Sequence, residues 1–92
     1  MTKVIFNIKP DRAYFDCLQH SDDHDVCTIV STLCNVLVAE CMRQGIAPRD
    51  YKPGHVCIDA EKVDAKCIEV FEAVHTVFAQ VEEQHKEHLK LY

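Results

Sequence analysis

The stretch "KVIFNIKPDRAYFDCLQH", Lys3 to His20, decides the fold class. Val4, Phe6 and Ile8 alternate with Lys3, Asn7 and Lys9, the period of a half-buried strand. Pro10 and Asp11 supply turn chemistry. "AYFDCLQH" then places Phe15 and Cys17 on one face and Tyr14, Asp16 and Leu18 on the other. It reads as a second strand, closed by His20, forming a hairpin with the first.

The period changes downstream. "DVCTIVSTLCNVLVAECMRQG" has Asp25 as N-cap and Gly45 as its C-terminal stop. Val26, Ile29, Val30, Leu33, Leu37 and Val38 cover more than half of this helix, and Cys27, Cys34 and Cys41 add a further seam. A helix this apolar needs cover on more than one side, from a second helix or a subunit partner. "IAPRDYKPGH" is read as a loop with a type II turn at Pro53-Gly54, and "HVCIDA" as a third strand. "DAEKVDAKCIEVFEAVHTVFAQVEEQ" is read as an amphipathic helix capped by Asp59, with Glu61 near its positive end. Val63, Cys67, Val70, Val74, Val77 and Val81 mark its apolar stripe, flanked by Phe71 and Phe78. "HLKLY" returns as an edge strand. The order ββαβα, with a last strand, predicts an α+β two-layer sandwich: a small antiparallel or mixed sheet packed with two helices.

Residues 1–92 are expected to form a single domain. A chain this size buries roughly 60–65% of its unfolded surface, enough for one modest core. The net charge is −5 and the basic residues form no stripe, which disfavours nucleic acid as a direct partner. No run of ~18 continuous apolar residues marks a membrane span, and the apolar patch near the amino terminus is too short for a secretory signal. A cytoplasmic location is the expectation, with Cys34, Cys41, Cys57 and Cys67 as buried free thiols.

The chemistry concentrates in "LQHSDDHDVCTIVST", Leu18 to Thr32. His20 ends a strand and Cys27 falls near the second position of a helix, where backbone N–H groups lack intrahelical partners and favour an anion. This spacing permits a thiol–imidazole dyad, with the helix-start amides receiving an oxyanion. Two other readings stay open on spacing alone: a loop holding both residues by chance, and a zinc clip from Cys17, His20, His24 and Cys27. Strand alternation puts Cys17 and His20 on opposite faces, which counts against the clip, and no metal or other cofactor is assigned. Ser31 reads as a hydroxyl bonded back to its own helix. His55, His75, His85 and His88 read as surface or helix-face positions with no assigned role.

"QHSDDHDVCTIVS" resembles the signature of the ribosomal-processing cysteine proteases, the Prp family: Gly-His-Ala, a variable loop, then an apolar residue, Cys, two small residues, an apolar residue and Ser. His20, Val26, Cys27, Val30 and Ser31 fit it. Gln19 and Ser21 stand where the family has Gly and Ala, Thr28 and Ile29 replace its small residues, and His24 takes a position that is often acidic. The element order resembles the family over nearly the whole chain. The resemblance implies a dimeric cytoplasmic endopeptidase that removes a short N-terminal extension from a large-subunit ribosomal protein, or acts on a phage capsid or scaffold protein. It makes Cys27 the nucleophile and His20 the general base. His24 and the flanking Asp22, Asp23 and Asp25 read as solvated loop residues, any one of which could orient His20; Asp25 and Ser31 are the candidates for support. The departures at Gln19, Thr28 and Ile29 motivate the alternative, a non-catalytic dimeric protein-binding module on the same fold.

Overall fold

Val4, Ala13, Phe15, Cys17, Ile58 and Ala60 form the buried side of one β-sheet. The computed structural model describes all 92 residues. Strand β1 is Thr2–Lys9 and β2 is Arg12–Leu18; they pair antiparallel with Phe6 opposite Phe15, as the alternation requires. Helix α1 is His24–Arg43. A short β3, Asp50–Lys52, turns through Pro53-Gly54 into β4, His55–Glu61. Helix α2 is Ala65–Gln84, and β5, Leu89–Leu91, runs parallel to β1 at the edge. The sheet order is β3-β4-β2-β1-β5. The α+β two-layer sandwich predicted from sequence is the architecture found, with β3 as an additional strand.

One cluster of 20 buried residues joins the sheet to both helices. Phe6, Phe15 and Phe78 pack ring to ring, with centroids 4.9–5.8 Å apart. His75 is a half-buried position on a face of α2, its ring edge-on to Phe6 at 5.0 Å. Helix α1 ends in a Schellman motif: Ile46 N–H donates to the Cys41 carbonyl at 2.8 Å and Gly45 takes φ +76. α1 has the length and composition of a membrane span. Here Val26, Val30, Leu37 and Val38 face the core, whereas Val36 and Met42 stay exposed.

Several local expectations shift. β2 stops at Leu18, because Gln19 adopts φ +71 and turns the chain before His20. The cap of α1 is Asp23, not Asp25: its carboxylate accepts the Val26 N–H at 3.0 Å. α2 starts six residues after Asp59, which lies in β4 and accepts hydrogen bonds from Arg12 at 3.0 and 3.1 Å. β4 runs on to Glu61 because Ala60 pairs with Ala13 and Glu61 with Arg12, and Asp64 caps the helix instead. The buried stripe of α2 is Cys67, Ile68, Phe71, Val74, Phe78 and Val81; the larger phenylalanines turn inward, leaving Val77 exposed and Val70 half-buried.

Candidate functional site

The turn at Gln19 and the start of α1 meet over a cleft of about 380 Å³. His20 and Ser21 border it from the β2–α1 loop, Cys27 and Ser31 from α1, and Pro53 and Gly54 from the β3–β4 turn. Cys27 Sγ lies 3.8 Å from His20 Nδ1. That is contact distance for sulfur, so a proton can pass between them.

Gln19 sets this geometry. Its left-handed backbone swings His20 off the strand and towards α1. A non-glycine residue in that region is strained, and here two bonds hold it. The Gln19 N–H donates to the Gly54 carbonyl at 2.8 Å, and the buried Thr2 hydroxyl donates to the Gln19 carbonyl at 3.1 Å. Gly54, at φ +84, packs beneath the imidazole; a Cβ there would lie 3.5 Å from His20 Cδ2. The turn thus supplies the floor on which the ring rests.

The loop from Ser21 to Asp23 is tied down as well. Asp23 N–H donates to the Ser21 hydroxyl at 3.1 Å. The His88 imidazole lies 3.0 Å from Asp22 Oδ1 and 3.8 Å from Asp23 Oδ2. Hydrogen bonding to His88 holds the Asp22 carboxyl below its ordinary range, and the capped Val26 amide does the same for Asp23. His88 is therefore half-buried and engaged, contrary to the sequence expectation.

Cys27 is the fourth residue of α1, and its N–H already donates to the Asp23 carbonyl at 3.0 Å. The amides of Val26 and Cys27 are thus taken, and the expected oxyanion role of the helix-start N–H groups fails for both. Asp25 is exposed in the first turn and makes no hydrogen bond to His20. Ser31 lines the cleft without bonding back to the helix; Thr28 and Thr32 do so instead, at 3.0 and 2.9 Å.

All six cysteines are free, and Cys27 alone among them is not fully buried. Cys17 and Cys34 line the cleft deeper in. Hydrogen bonding to Cys17 and burial both push the Cys34 thiol up, so it stays neutral. The zinc clip of Cys17, His20, His24 and Cys27 does not assemble; the donors that do converge are those of Asp16, His55 and Cys57, of which His55 alone also borders the cleft.

No family model matches the chain, and no curated protein matches it in sequence. Solved structures match it in three dimensions. A crystal structure of the essential ribosomal processing protease Prp from S. aureus, in complex with a substrate peptide, aligns over 100% of this chain and 98% of its own, with 18% identity and a TM-score of 0.68. The same protease with a covalently linked product peptide aligns over 99% of this chain and 97% of its own, with 17% identity and a TM-score of 0.70. From its first strand to its last, this chain has the fold of the ribosomal processing protease Prp.

Proposed function

We propose that this chain is a cysteine endopeptidase of the Prp family. Its substrate would be an N-terminal extension of a large-subunit ribosomal protein, removed in the cytoplasm by a homodimer. The observation that carries the reading is the 3.8 Å approach of Cys27 Sγ to His20 Nδ1 at an open cleft. His20 takes the thiol proton and Sγ attacks the scissile carbonyl carbon. His20 then returns the proton to the leaving amine, and water, deprotonated by the same imidazole, hydrolyses the thioester. The dipole of α1 and the uncommitted polar groups of Gln19 and Ser31 stabilise the tetrahedral oxygen. The fold shared with a protease crystallised on peptides supports the substrate class, and the net charge of −5 suits a basic peptide. Exposed Val36 and Met42 on α1 suit a subunit contact.

Gln19 favours the second reading, a non-catalytic peptide-binding module, because an exposed side chain occupies the cleft rim where the family has glycine. One experiment separates the two. The protein is incubated with a synthetic peptide spanning a ribosomal N-terminal extension, and in parallel with iodoacetamide, with the labelled cysteines mapped. The enzyme reading expects cleavage that Cys27→Ala abolishes. It also expects Cys27 to be labelled first, at least tenfold more slowly in His20→Ala. Binding without cleavage, with slow labelling indifferent to His20, overturns it in favour of the module.

A further inference from the structure

The outer face of the sheet, away from both helices, gathers a second set of chemical groups. The strand register places Asp50 opposite Cys57 and Cys57 opposite Asp16, a row across β3, β4 and β2. His55 lies two residues before Cys57, so it shares that face. One donor atom from each of Asp16, His55 and Cys57 falls within 4.8 Å of the others. His55 Nε2 is 2.9 Å from Asp16 Oδ1, and its Nδ1 is 3.6 Å from Asp50 Oδ2. Cys57 Sγ lies 3.8 Å from the Tyr14 hydroxyl, which donates to Asp16 Oδ2 at 3.4 Å. Cys57 is only 7% exposed yet does not belong to the apolar core. Its neighbours are this polar ring.

The geometry points to a binding site for a divalent ion of the zinc class, held by Cys57 Sγ, His55 Nε2 and Asp16 Oδ1. A sulfur, an imidazole nitrogen and a carboxylate oxygen suit such an ion; magnesium and calcium prefer oxygen alone. Metal bonds of about 2.0–2.3 Å in a tetrahedron set donors roughly 3.2–3.8 Å apart. The widest pair in the trio therefore closes by at most about 1.6 Å, and His55 Nε2 and Asp16 Oδ1, now 2.9 Å apart, open by a few tenths of an ångström. Asp50 completes the arrangement from behind. Without the ion, Nε2 makes the short contact, 2.9 Å to Asp16, and Asp50 Oδ2 stands 3.6 Å from Nδ1, beyond hydrogen-bond length. When Nε2 turns its lone pair to the ion, Nδ1 carries the ring proton and the Asp50 carboxylate is placed to close in and accept it, the usual support for a metal-binding histidine. The His55 side chain is 26% exposed, so the fourth position opens to solvent and takes a water. On binding, the Cys57 thiol proton leaves to solvent in exchange for the ion, and the single N–H proton of the neutral His55 ring passes from Nε2 to Nδ1. The bound ion ties β4 to β2 directly beside Gly54, the residue on which His20 rests. The site stands whether or not the cleft is proteolytic.

Cobalt(II) chloride titrated into the metal-free protein tests this. One equivalent should bind and give a thiolate-to-cobalt charge-transfer band in the near ultraviolet. Cys57→Ser should abolish the band and Cys27→Ser should leave it. Affinity should fall tenfold or more in His55→Gln and Asp16→Asn, and about 10–100-fold in Asp50→Asn. Zinc should displace the cobalt and raise the thermal midpoint of the wild type but not of Cys57→Ser, whose circular dichroism without metal checks that it folds. Absence of the band in the wild type overturns the site. So does a band that survives Cys57→Ser and is lost in Cys27→Ser, which places the ion in the cleft instead.

Discussion

The Gln19 amide donates to the Gly54 carbonyl at 2.8 Å, joining the end of β2 to the tip of the β3–β4 turn. The bond holds Gln19 at φ +71, a conformation that costs a side-chain-bearing residue about 1–2 kcal/mol. Glycine would remove that strain but lose about 0.5–1 kcal/mol through its freer unfolded chain. Gln19→Gly is therefore expected to gain about 0.5–1 kcal/mol, read as a raised urea midpoint at unchanged m. Gln19→Ala keeps the strain and should lie near the wild type. If alanine stabilises as much as glycine, the side chain and not the backbone is the source.

Gly54 makes the complementary case. At φ +84 its backbone disfavours any side chain, although the added Cβ would find ordinary contact distance to His20. Gly54→Ala should cost about 0.5–1 kcal/mol, the backbone strain less the entropy regained from a stiffer unfolded chain, and not through a clash. If the turn flips to relieve the strain, the Gln19 amide loses its acceptor and the His20 ring loses its floor. Iodoacetamide labelling of Cys27 should then slow under conditions where the variant is still folded. Labelling at the wild-type rate would show that the turn does not place the imidazole.

These two positions also mark where the sequence stops being readable. Strict alternation in Val4, Phe6 and Ile8, answered by Ala13, Phe15 and Cys17, makes the first hairpin legible. The apolar run ending at Gly45 does the same for α1. β3 is not legible, because Asp50, Tyr51 and Lys52 carry no apolar alternation and become a strand only by pairing with β4. The start of α2 is ambiguous between Asp59 and Asp64, both good caps; the choice rests on Ala60 meeting Ala13, far off in sequence. The approach of His20 to Cys27 is permitted by their spacing, but the left-handed turn at Gln19 that brings it about has no local signal in a glutamine. The cluster around His55 is hidden for the same reason as β3, since its partner Asp16 lies 39 residues away.

Phe78 joins the part of the core that the sequence does reveal. It is fully buried, with Phe6 and Phe15 at centroid distances of 5.7 and 5.8 Å. Phe78→Ala should cost about 3–5 kcal/mol, against a typical total of about 5–15 kcal/mol. Phe78→Leu keeps most of the volume and should cost about 1–1.5 kcal/mol. Chemical denaturation at 25 °C reads both. Equal losses from the two substitutions would mean that the aromatic contacts, not the filled volume, dominate at this position.

Acid should loosen the chain through its two helix caps. Asp23 and Asp64 lie below the ordinary aspartate range, chiefly because each accepts a first-turn amide, from Val26 and from Cys67. A carboxyl with a depressed folded value is protonated first in the unfolded chain, so stability rises with pH across that window. The contribution is complete above the unfolded value of about 3.9 and is lost as pH falls through the folded values. Asparagine caps nearly as well as aspartate but does not titrate in this range. The double substitution Asp23→Asn, Asp64→Asn should therefore stay close to the wild type at pH 7 and show a shallower loss of urea midpoint below about pH 4. Identical acid slopes in the two proteins would place the acid sensitivity elsewhere, with the Asp22 carboxylate at His88 the next group to substitute.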